Sequence, residues 1–428
     1  MTELDFTIDT LGPARYASPM AAMRFVAPGE EVLYHGSLAA LQPYLEAGTR
    51  PPAFELAGPR RELFFQPGTD LRAGIVTCGG LCPGMNDVIR AVVLSLTYHY
   101  GVQTIYGFRY GYEGLNLALG HRPLLLTPER VERISTLGGT LLGTSRGEQP
   151  VPAMVDALVE HGVNMLFAVG GDGTLRGAHA IAAEIARRGL AIAVVGIPKT
   201  IDNDIACIEK SFGFETAVAV AQQVVEGAHV EAIAARNGVG LVKLMGRDSG
   251  FIAAYTTLAD SRVNFCLVPE ARFTLDALLP ALRDRLALRG HAVIAVAEGA
   301  GQELMAGARN QDASGNLLHR DIGLFLRDEI RGYFGKIGME LNLKYIDPSY
   351  TIRSVPANTA DSAFCLLLGH NAVHAAMAGR TNMVVGYWRG QFTHVPIPAA
   401  VAQRKKIDPA GWLWSAVLAS TGQPQPLA

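Results

Sequence analysis

Residues 73–86 read Ala73-Gly74-Ile75-Val76-Thr77-Cys78-Gly79-Gly80-Leu81-Cys82-Pro83-Gly84-Met85-Asn86: a short apolar run, a glycine-rich turn, and the start of a helical pattern lasting to Thr97. The run does not alternate polar with apolar residues, so it reads as a strand covered on both faces, as in a parallel sheet. The same order recurs downstream. Leu166-Phe167-Ala168-Val169 ends at Gly170-Gly171-Asp172-Gly173-Thr174, the run 193–197 ends at Pro198-Lys199-Thr200, and the run 292–297 ends at Glu298. Apolar residues at three-to-four spacing predict helices over 151–161, 177–188 and 275–288. This β-α-β-α alternation is that of a doubly wound α/β fold. In such folds ligands sit beyond the carboxyl ends of the strands, where these glycine-rich turns fall.

The chain has 428 residues, two or three domains' worth at about 150 residues each. Hydrophobic residues make up 49% and charged residues 18%, which excludes an intrinsically disordered chain. With Lys and Arg at 37 against Asp and Glu at 39, it lacks the basic excess of a general nucleic-acid binder, so any phosphate is recognised locally. No window approaches the roughly 18 apolar residues of a membrane span. The acidic Glu3 and Asp5 stand where a signal peptide would be basic, so a cytoplasmic protein without a membrane partner is expected. The five cysteines (78, 82, 207, 266 and 365) form no CxxC pair and read as reduced thiols. Residues 1–70, with prolines at 13, 19, 28, 43, 51, 52, 59 and 67, read as an extended N-terminal arm with short helices ahead of a body beginning near Leu71.

The turn at 78–86 aims successive backbone N–H groups toward a helix N-terminus, which makes an anion nest. The turn at 170–174 is placed alike and adds Asp172, a carboxylate suited to Mg²⁺ beside phosphates. Either turn alone could be merely structural. Neither is a Walker loop, and Arg176 stands at the last glycine position of a dinucleotide fingerprint, which argues against a dehydrogenase. In Pro198-Lys199-Thr200-Ile201-Asp202-Asn203-Asp204, two carboxylates could divide base and metal roles, the alternative being an Asx-rich turn that caps a helix. Only 7 of the 37 basic residues are lysines, so Lys199 draws notice. Arg146 and Arg247 each lie beside glycine, where guanidinium can reach phosphate oxygens or form a surface ion pair. Glu298 ends a strand where it could accept from sugar hydroxyls; Lys344 and Tyr350-Thr351-Ile352-Arg353 form a last cationic cluster. The eleven histidines show no metal-ligand spacing. This inventory suits phosphoryl transfer to a hydroxyl.

The motifs TCGGLCPGMN (77–86), GTSRG (143–147), GGDGT (170–174), PKTIDND (198–204), LMGRDSG (244–250), AEG (297–299) and YTIR (350–353) occur in an order that resembles the 6-phosphofructokinase family over roughly residues 71–420. Gly173 with Lys199, the long arm and Trp412-Leu413-Trp414 resemble its plant and trypanosomatid ATP-dependent branch. The resemblance implies two similar doubly wound, Rossmann-like α/β domains with mostly parallel sheets, plus the extension at 1–70. Residues 71–212 with about 352–402 would bind ATP, and 213–351 with about 403–428 the sugar phosphate. It implies Mg²⁺-assisted transfer of the ATP γ-phosphoryl group to the 1-hydroxyl of fructose 6-phosphate by a homotetramer, with a homodimer as the alternative.

Carried over by motif, Gly79, Gly80, Arg146, Gly147, Gly171, Asp172, Gly173 and Thr174 hold ATP, with Asp172 on Mg²⁺ and Asp204 as a second carboxylate near it. Asp202 is the general base, Thr200 lies against the transferring group, and Arg146 and Arg247 neutralise it. Thr200, Ile201, Asp202, Met245, Gly246, Arg247, Glu298, Lys344, Tyr350, Thr351, Ile352 and Arg353 match the sugar-phosphate site. Three departures stand out. Lys199 replaces the glycine of compact ATP enzymes and matches pyrophosphate-dependent members; Lys344 replaces a phosphate-binding arginine; Gly238 falls where another arginine reaches the sugar phosphate from a neighbouring subunit, with Arg236 or Asn237 as substitutes. A pyrophosphate-dependent enzyme is the rival reading. Gly173 decides for ATP, because an aspartate there would repel the α-phosphate, whereas Lys199 assists a small donor without blocking ATP.

Overall fold

Every residue of Met165–Gly170 and of Ala193–Pro198 is buried, as strands covered on both faces require. The computed structural model describes residues 5–20, 24–305, 319–425 and 427. In chain order the strands of its two main sheets are β1 (Glu31–Leu33), β2 (Ala53–Leu56), β3 (Arg72–Thr77), β4 (Thr104–Gly107), β5 (Leu124–Leu125), β6 (Met165–Gly170), β7 (Ala193–Pro198), β8 (Gly238–Leu244), β9 (Phe265–Leu267), β10 (His291–Ala297), β11 (Asn342–Ile346), β12 (Met383–Trp388) and β13 (Gln391–Pro396). The chain divides into two units. The first comprises Met1–Ile201, Ile205–Gly213 and Val355–Gln403; the second comprises Asp202–Asp204, Phe214–Ser354 and Arg404–Ala428.

The first unit holds a sheet of order β1-β2-β13-β12-β7-β6-β3-β4-β5. Strands β12, β7, β6, β3 and β4 run parallel, and the flanking strands pair antiparallel. Taken in chain order, the parallel strands have the 2-1-3-4-5 arrangement, whose reversal point lies between β3 and β6. Helices α1 (Met85–Tyr100), α2 (Val151–Glu160) and α3 (Asp172–Arg187) follow the glycine turns and connections of this sheet. Helix α3 begins five residues before the expected start at Gly177. Gly173 and Gly177 depress its helical propensity, yet Leu175, Ala178 and Ile181 are fully buried, so packing sets its first turn.

Residues 31–33 and 53–56, expected to be extended arm, form β1 and β2 and prolong the sheet through Thr393↔Leu56 and His394↔Glu55. Burial drives this: the Phe54 ring packs 4.2 Å from Phe6 and edge-on to Trp388. Glu55 accepts from Arg60 Nη2 at 2.6 Å and from Arg380 Nη2 at 2.8 Å.

The second unit holds a wholly parallel sheet of order β9-β10-β8-β11. Its apolar core joins Val239, Leu241, Ile294 and Val296 to Leu278, Leu282, Leu326 and Ile330. These come from the sheet and from α6 (Leu275–Arg289) and α7 (Ile322–Lys336), after α4 (Phe214–Ile233) and α5 (Phe251–Ala259). Among the described residues no helix is long and apolar enough to cross a membrane.

Candidate active site

Because β3 and β6 are neighbours, the turns after them are neighbours too. Cys78 N–H donates to Val169 O at 3.0 Å, and burial pushes the Cys78 thiol up to about 12. Gly79 takes φ +83°, a conformation that disfavours a side chain, and an added Cβ would lie 3.2 Å from Lys199 Nζ. Its N–H donates to Ser145 O (3.1 Å), and its carbonyl accepts from Thr144 Oγ1 (2.6 Å). The loop carrying Arg146 and Gly147 is thereby fastened to the first turn. Asn86 braces it, donating to Leu137 O and accepting from Leu141 N–H at 2.8 Å.

Lys199 ties in the third segment. Its N–H donates to Gly170 O at 2.9 Å, and its buried ammonium donates to Gly80 O at 2.9 Å. Gly171 precedes α3, so Asp172, Gly173 and Thr174 form the first helical turn, where backbone N–H groups attract anions. A Cβ on Gly173 would meet nothing within 4 Å. Thr174 O accepts from Tyr112 OH at 2.6 Å, and Asp172 Oδ2 from Arg176 Nη2 at 2.8 Å. Thr200 O accepts from Ser211 Oγ, and Ile201 is buried.

Ile201 to Asp202 is the step by which the chain enters the second unit. Asn203 takes φ +54°, and the buried Asp204 accepts from Lys405 N–H at 2.7 Å through its main-chain carbonyl. Arg404 Nη1 bonds to Asp248 and lies 3.5 Å from Asp204 Oδ2. Burial, then the carboxylates of Asp204 and Glu298, push the Asp202 carboxyl up to about 7, against a hydrogen bond from the Arg247 N–H and the charge of Arg404. A carboxyl at that value is poised for proton transfer near neutrality.

The turns after β8 and β10 interlock. Glu298 N–H donates to Leu244 O (2.9 Å) and Gly299 N–H to Gly246 O (3.0 Å). A Cβ on Gly299 would stand 2.0 Å from Arg247 O, so only glycine admits this approach. Met245, Gly246, Arg247 and Glu298 are thus gathered at one sheet edge. Helix α8 (Ser349–Ser354) carries Tyr350, Thr351 and Arg353, whose guanidinium lies 4.6 Å over the Tyr350 ring.

Two sequence-assigned residues are placed differently. Ile352 is fully buried, so its side chain packs rather than meeting a ligand. Lys344 is exposed in the middle of edge strand β11, opposite Gly240, not in a carboxyl-end turn. At Gly238 a Cβ would meet Ala232 O at 2.0 Å, and the proposed substitutes are engaged locally: Arg236 lies 3.5 Å from the Glu340 carboxylate, and Asn237 Nδ2 donates to Glu340 O. Sequence reasoning missed Arg404, Gln302 and Lys243, although Lys243 is one of only seven lysines.

Among the described residues no three His, Cys, Asp or Glu gather as a metal cage. Mg²⁺ bound by one or two carboxylates and the substrate's phosphates needs none, and Asp172, a hard oxygen donor in an anion-attracting turn, fits that mode. Both carboxylates have an arginine against them, Arg176 at 2.8 Å from Asp172 and Arg404 at 3.5 Å from Asp204; what sets Asp172 apart is its place in the first turn of α3.

The family model described as Phosphofructokinase matches residues 72–376. The chain is 48% identical to the ATP-dependent 6-phosphofructokinase of Borreliella burgdorferi, covering 98% of this chain and 97% of the relative. It is also 48% identical to ATP-dependent 6-phosphofructokinase 7 of Arabidopsis thaliana, over 88% of this chain and 78% of that one. Among solved structures, the pyrophosphate-dependent phosphofructokinase of Marinobacter aquaeolei shares the fold at TM-score 0.69 and 18% identity, over 82% of this chain and 91% of that one.

Proposed function

The chain belongs to the phosphofructokinase family, and from that membership we propose an ATP-dependent 6-phosphofructokinase that moves the γ-phosphoryl group of ATP to the 1-hydroxyl of fructose 6-phosphate. The observation that carries the chemistry is Asp202, a carboxyl raised to about 7 beside the interlocked turns of the second unit. There it takes the proton from the 1-hydroxyl as that oxygen attacks phosphorus.

In the first unit, the N–H groups around Gly79, Gly80 and 171–174 receive the ATP phosphates, with Arg146 and Gly147 beside them. Lys199 holds the first turn through Gly80. Asp172 would hold Mg²⁺, which when bound neutralises charge on the β- and γ-phosphate oxygens. In the second unit, Met245, Gly246 and Glu298 take the sugar, Tyr350, Thr351 and Arg353 take its 6-phosphate, and Arg247 neutralises the migrating group. Lys344, exposed on an edge strand, is available to a neighbouring copy in a homotetramer. The open space at Gly173 favours ATP over pyrophosphate. The site of action is the cytoplasm.

A coupled assay of fructose 1,6-bisphosphate formation with either donor tests the reading. Turnover with ATP and Mg²⁺ supports it; turnover with pyrophosphate alone defeats it.

A further inference from the structure

Lys243 stands next to last in β8, two residues before Met245. Its ammonium lies 2.8 Å from Asp321 Oδ2 and 2.8 Å from Asp347 Oδ2, and only 12% of its side chain is exposed. Burial pulls its pKa down, but the bonds to the two carboxylates outweigh burial and hold it raised, so the group is a cation. The carboxylates belong to different connections. Asp321 precedes α7, accepts from Leu324 N–H at 2.9 Å and receives Tyr345 OH at 3.0 Å. Asp347 follows β11 and accepts from Ser349 N–H and Oγ at the start of α8.

Each connection leads to the sugar-phosphate side chains. From Asp321 the chain runs back through Arg320, whose N–H donates to Gln302 Oε1; Gln302 Nε2 donates in turn to Glu298 O at 2.8 Å. One residue earlier, His319 Nε2 lies 2.9 Å from Arg247 O, and since a carbonyl only accepts, the ring donates. From Asp347 the chain enters α8, which carries Tyr350 and Arg353.

We propose that Lys243 is a positioning residue for the sugar phosphate: by holding Asp321 and Asp347 to one point, it fixes the main chain at Arg247 and Glu298 and the helix bearing Tyr350 and Arg353. The proposal rests on the reading that these residues take fructose 6-phosphate. Without the ammonium, two part-buried carboxylates face one another uncompensated, and their repulsion separates the two connections. The substrate consequence is selective, because both carboxylates that Lys243 holds belong to connections of the second unit, which carries the sugar-phosphate side chains.

The test is titration calorimetry of fructose 6-phosphate, steady-state kinetics and thermal melting on the full chain and on Lys243→Met, Lys243→Arg and Asp347→Ala. Lys243→Met is expected to weaken Kd and raise KM for fructose 6-phosphate by about 10- to 100-fold, the scale of a small misplacement. KM for ATP stays unchanged, and Lys243→Arg recovers most of the loss. Asp347→Ala, which leaves Lys243 paired with Asp321, shows the same selective loss. Wild-type fructose 6-phosphate affinity in Lys243→Met, or an equal rise of KM for both substrates, overturns the proposal whatever the melting temperature. Should Lys243→Met fail to fold, Asp347→Ala decides by the same criterion. An unsubstituted chain that neither binds nor turns over fructose 6-phosphate defeats the functional reading itself, an outcome distinct from a variant that behaves as wild type.

Discussion

Lys199 Nζ donates to the carbonyl oxygen of Gly80 at 2.9 Å, so a side chain from the third anion segment braces the first. A lysine here was the strongest sequence argument for a pyrophosphate donor, yet bracing a turn serves ATP as well. Removing this charge-assisted bond leaves a carbonyl short of its donor, a loss of about 1–3 kcal/mol or roughly ten- to a hundredfold. Lys199→Met should lower kcat/KM for ATP by that factor with KM for fructose 6-phosphate little changed. An equal loss toward both substrates would show that the brace is not local.

Gly173 faces open space in the first turn of α3. Aspartate there is favourable to the helix, since a negative charge complements its N-terminus. The same charge about 4 Å from an α-phosphate repels it by about 4 kcal/mol at an effective dielectric near 20, about a thousandfold in affinity. Gly173→Asp should therefore melt no lower than wild type while losing ATP turnover. Retained ATP use would remove Gly173 as the donor determinant.

Burial and the neighbouring carboxylates of Asp204 and Glu298 push the Asp202 carboxyl up from an ordinary 3.8 to about 7. As a base it must be ionised, so wild-type kcat/KM should fall below pH about 7, and Asp202→Asn should cut kcat by roughly 10²–10⁴-fold. The stability effect runs the other way. A carboxyl whose pKa is raised by folding keeps its proton longer in the folded state, so stability declines from about pH 4 to about pH 7 and stays lower above it. Asp202→Asn escapes that decline. Without metal, its melting temperature should exceed wild type at pH 8 and converge with it near pH 4.

At Gly238 the backbone carbonyl of Ala232 occupies the place of a Cβ. Gly238→Ala should destabilise the protein by about 1–3 kcal/mol or more, as overpacking does, and restoring an arginine there should cost stability without raising sugar-phosphate affinity. A stable Gly238→Arg variant with tighter binding would contradict this.

The central strands were legible because unbroken apolar runs such as 166–169 leave little choice but a two-sided strand. The glycine turns were legible because they interrupt those runs at the carboxyl ends. The start of α3 was not, since two glycines mask a helix that Leu175 and Ile181 stabilise only through tertiary packing. Nor were β1 and β2: strands of three and four residues leave no periodicity to read, and β2, on which β1 pairs, joins the sheet only through β13, more than 300 positions away (393 − 56 = 337). Ile352 looked like part of a binding motif because motif membership says nothing about which side of a helix faces the core. Lys243 carried the same compositional signal as Lys199, but its partners Asp321 and Asp347 lie 78 and 104 positions ahead (321 − 243 and 347 − 243), beyond any local pattern.

The order β6-β7-β12 has a consequence for biosynthesis. Strand β7 ends at Pro198, and the parallel strand that covers its other edge begins only at Met383. At translation rates of about 5–20 residues per second, that edge waits roughly 10–40 seconds on the ribosome for its neighbour. During that interval a fully apolar strand presents unpaired N–H and C=O groups to any other nascent chain, the template from which mispaired sheets grow. The 46 residues from Met383 onward (428 − 383 + 1) therefore act as a closing element for the first half of the chain. Premature termination before them should yield aggregates rather than a smaller soluble domain.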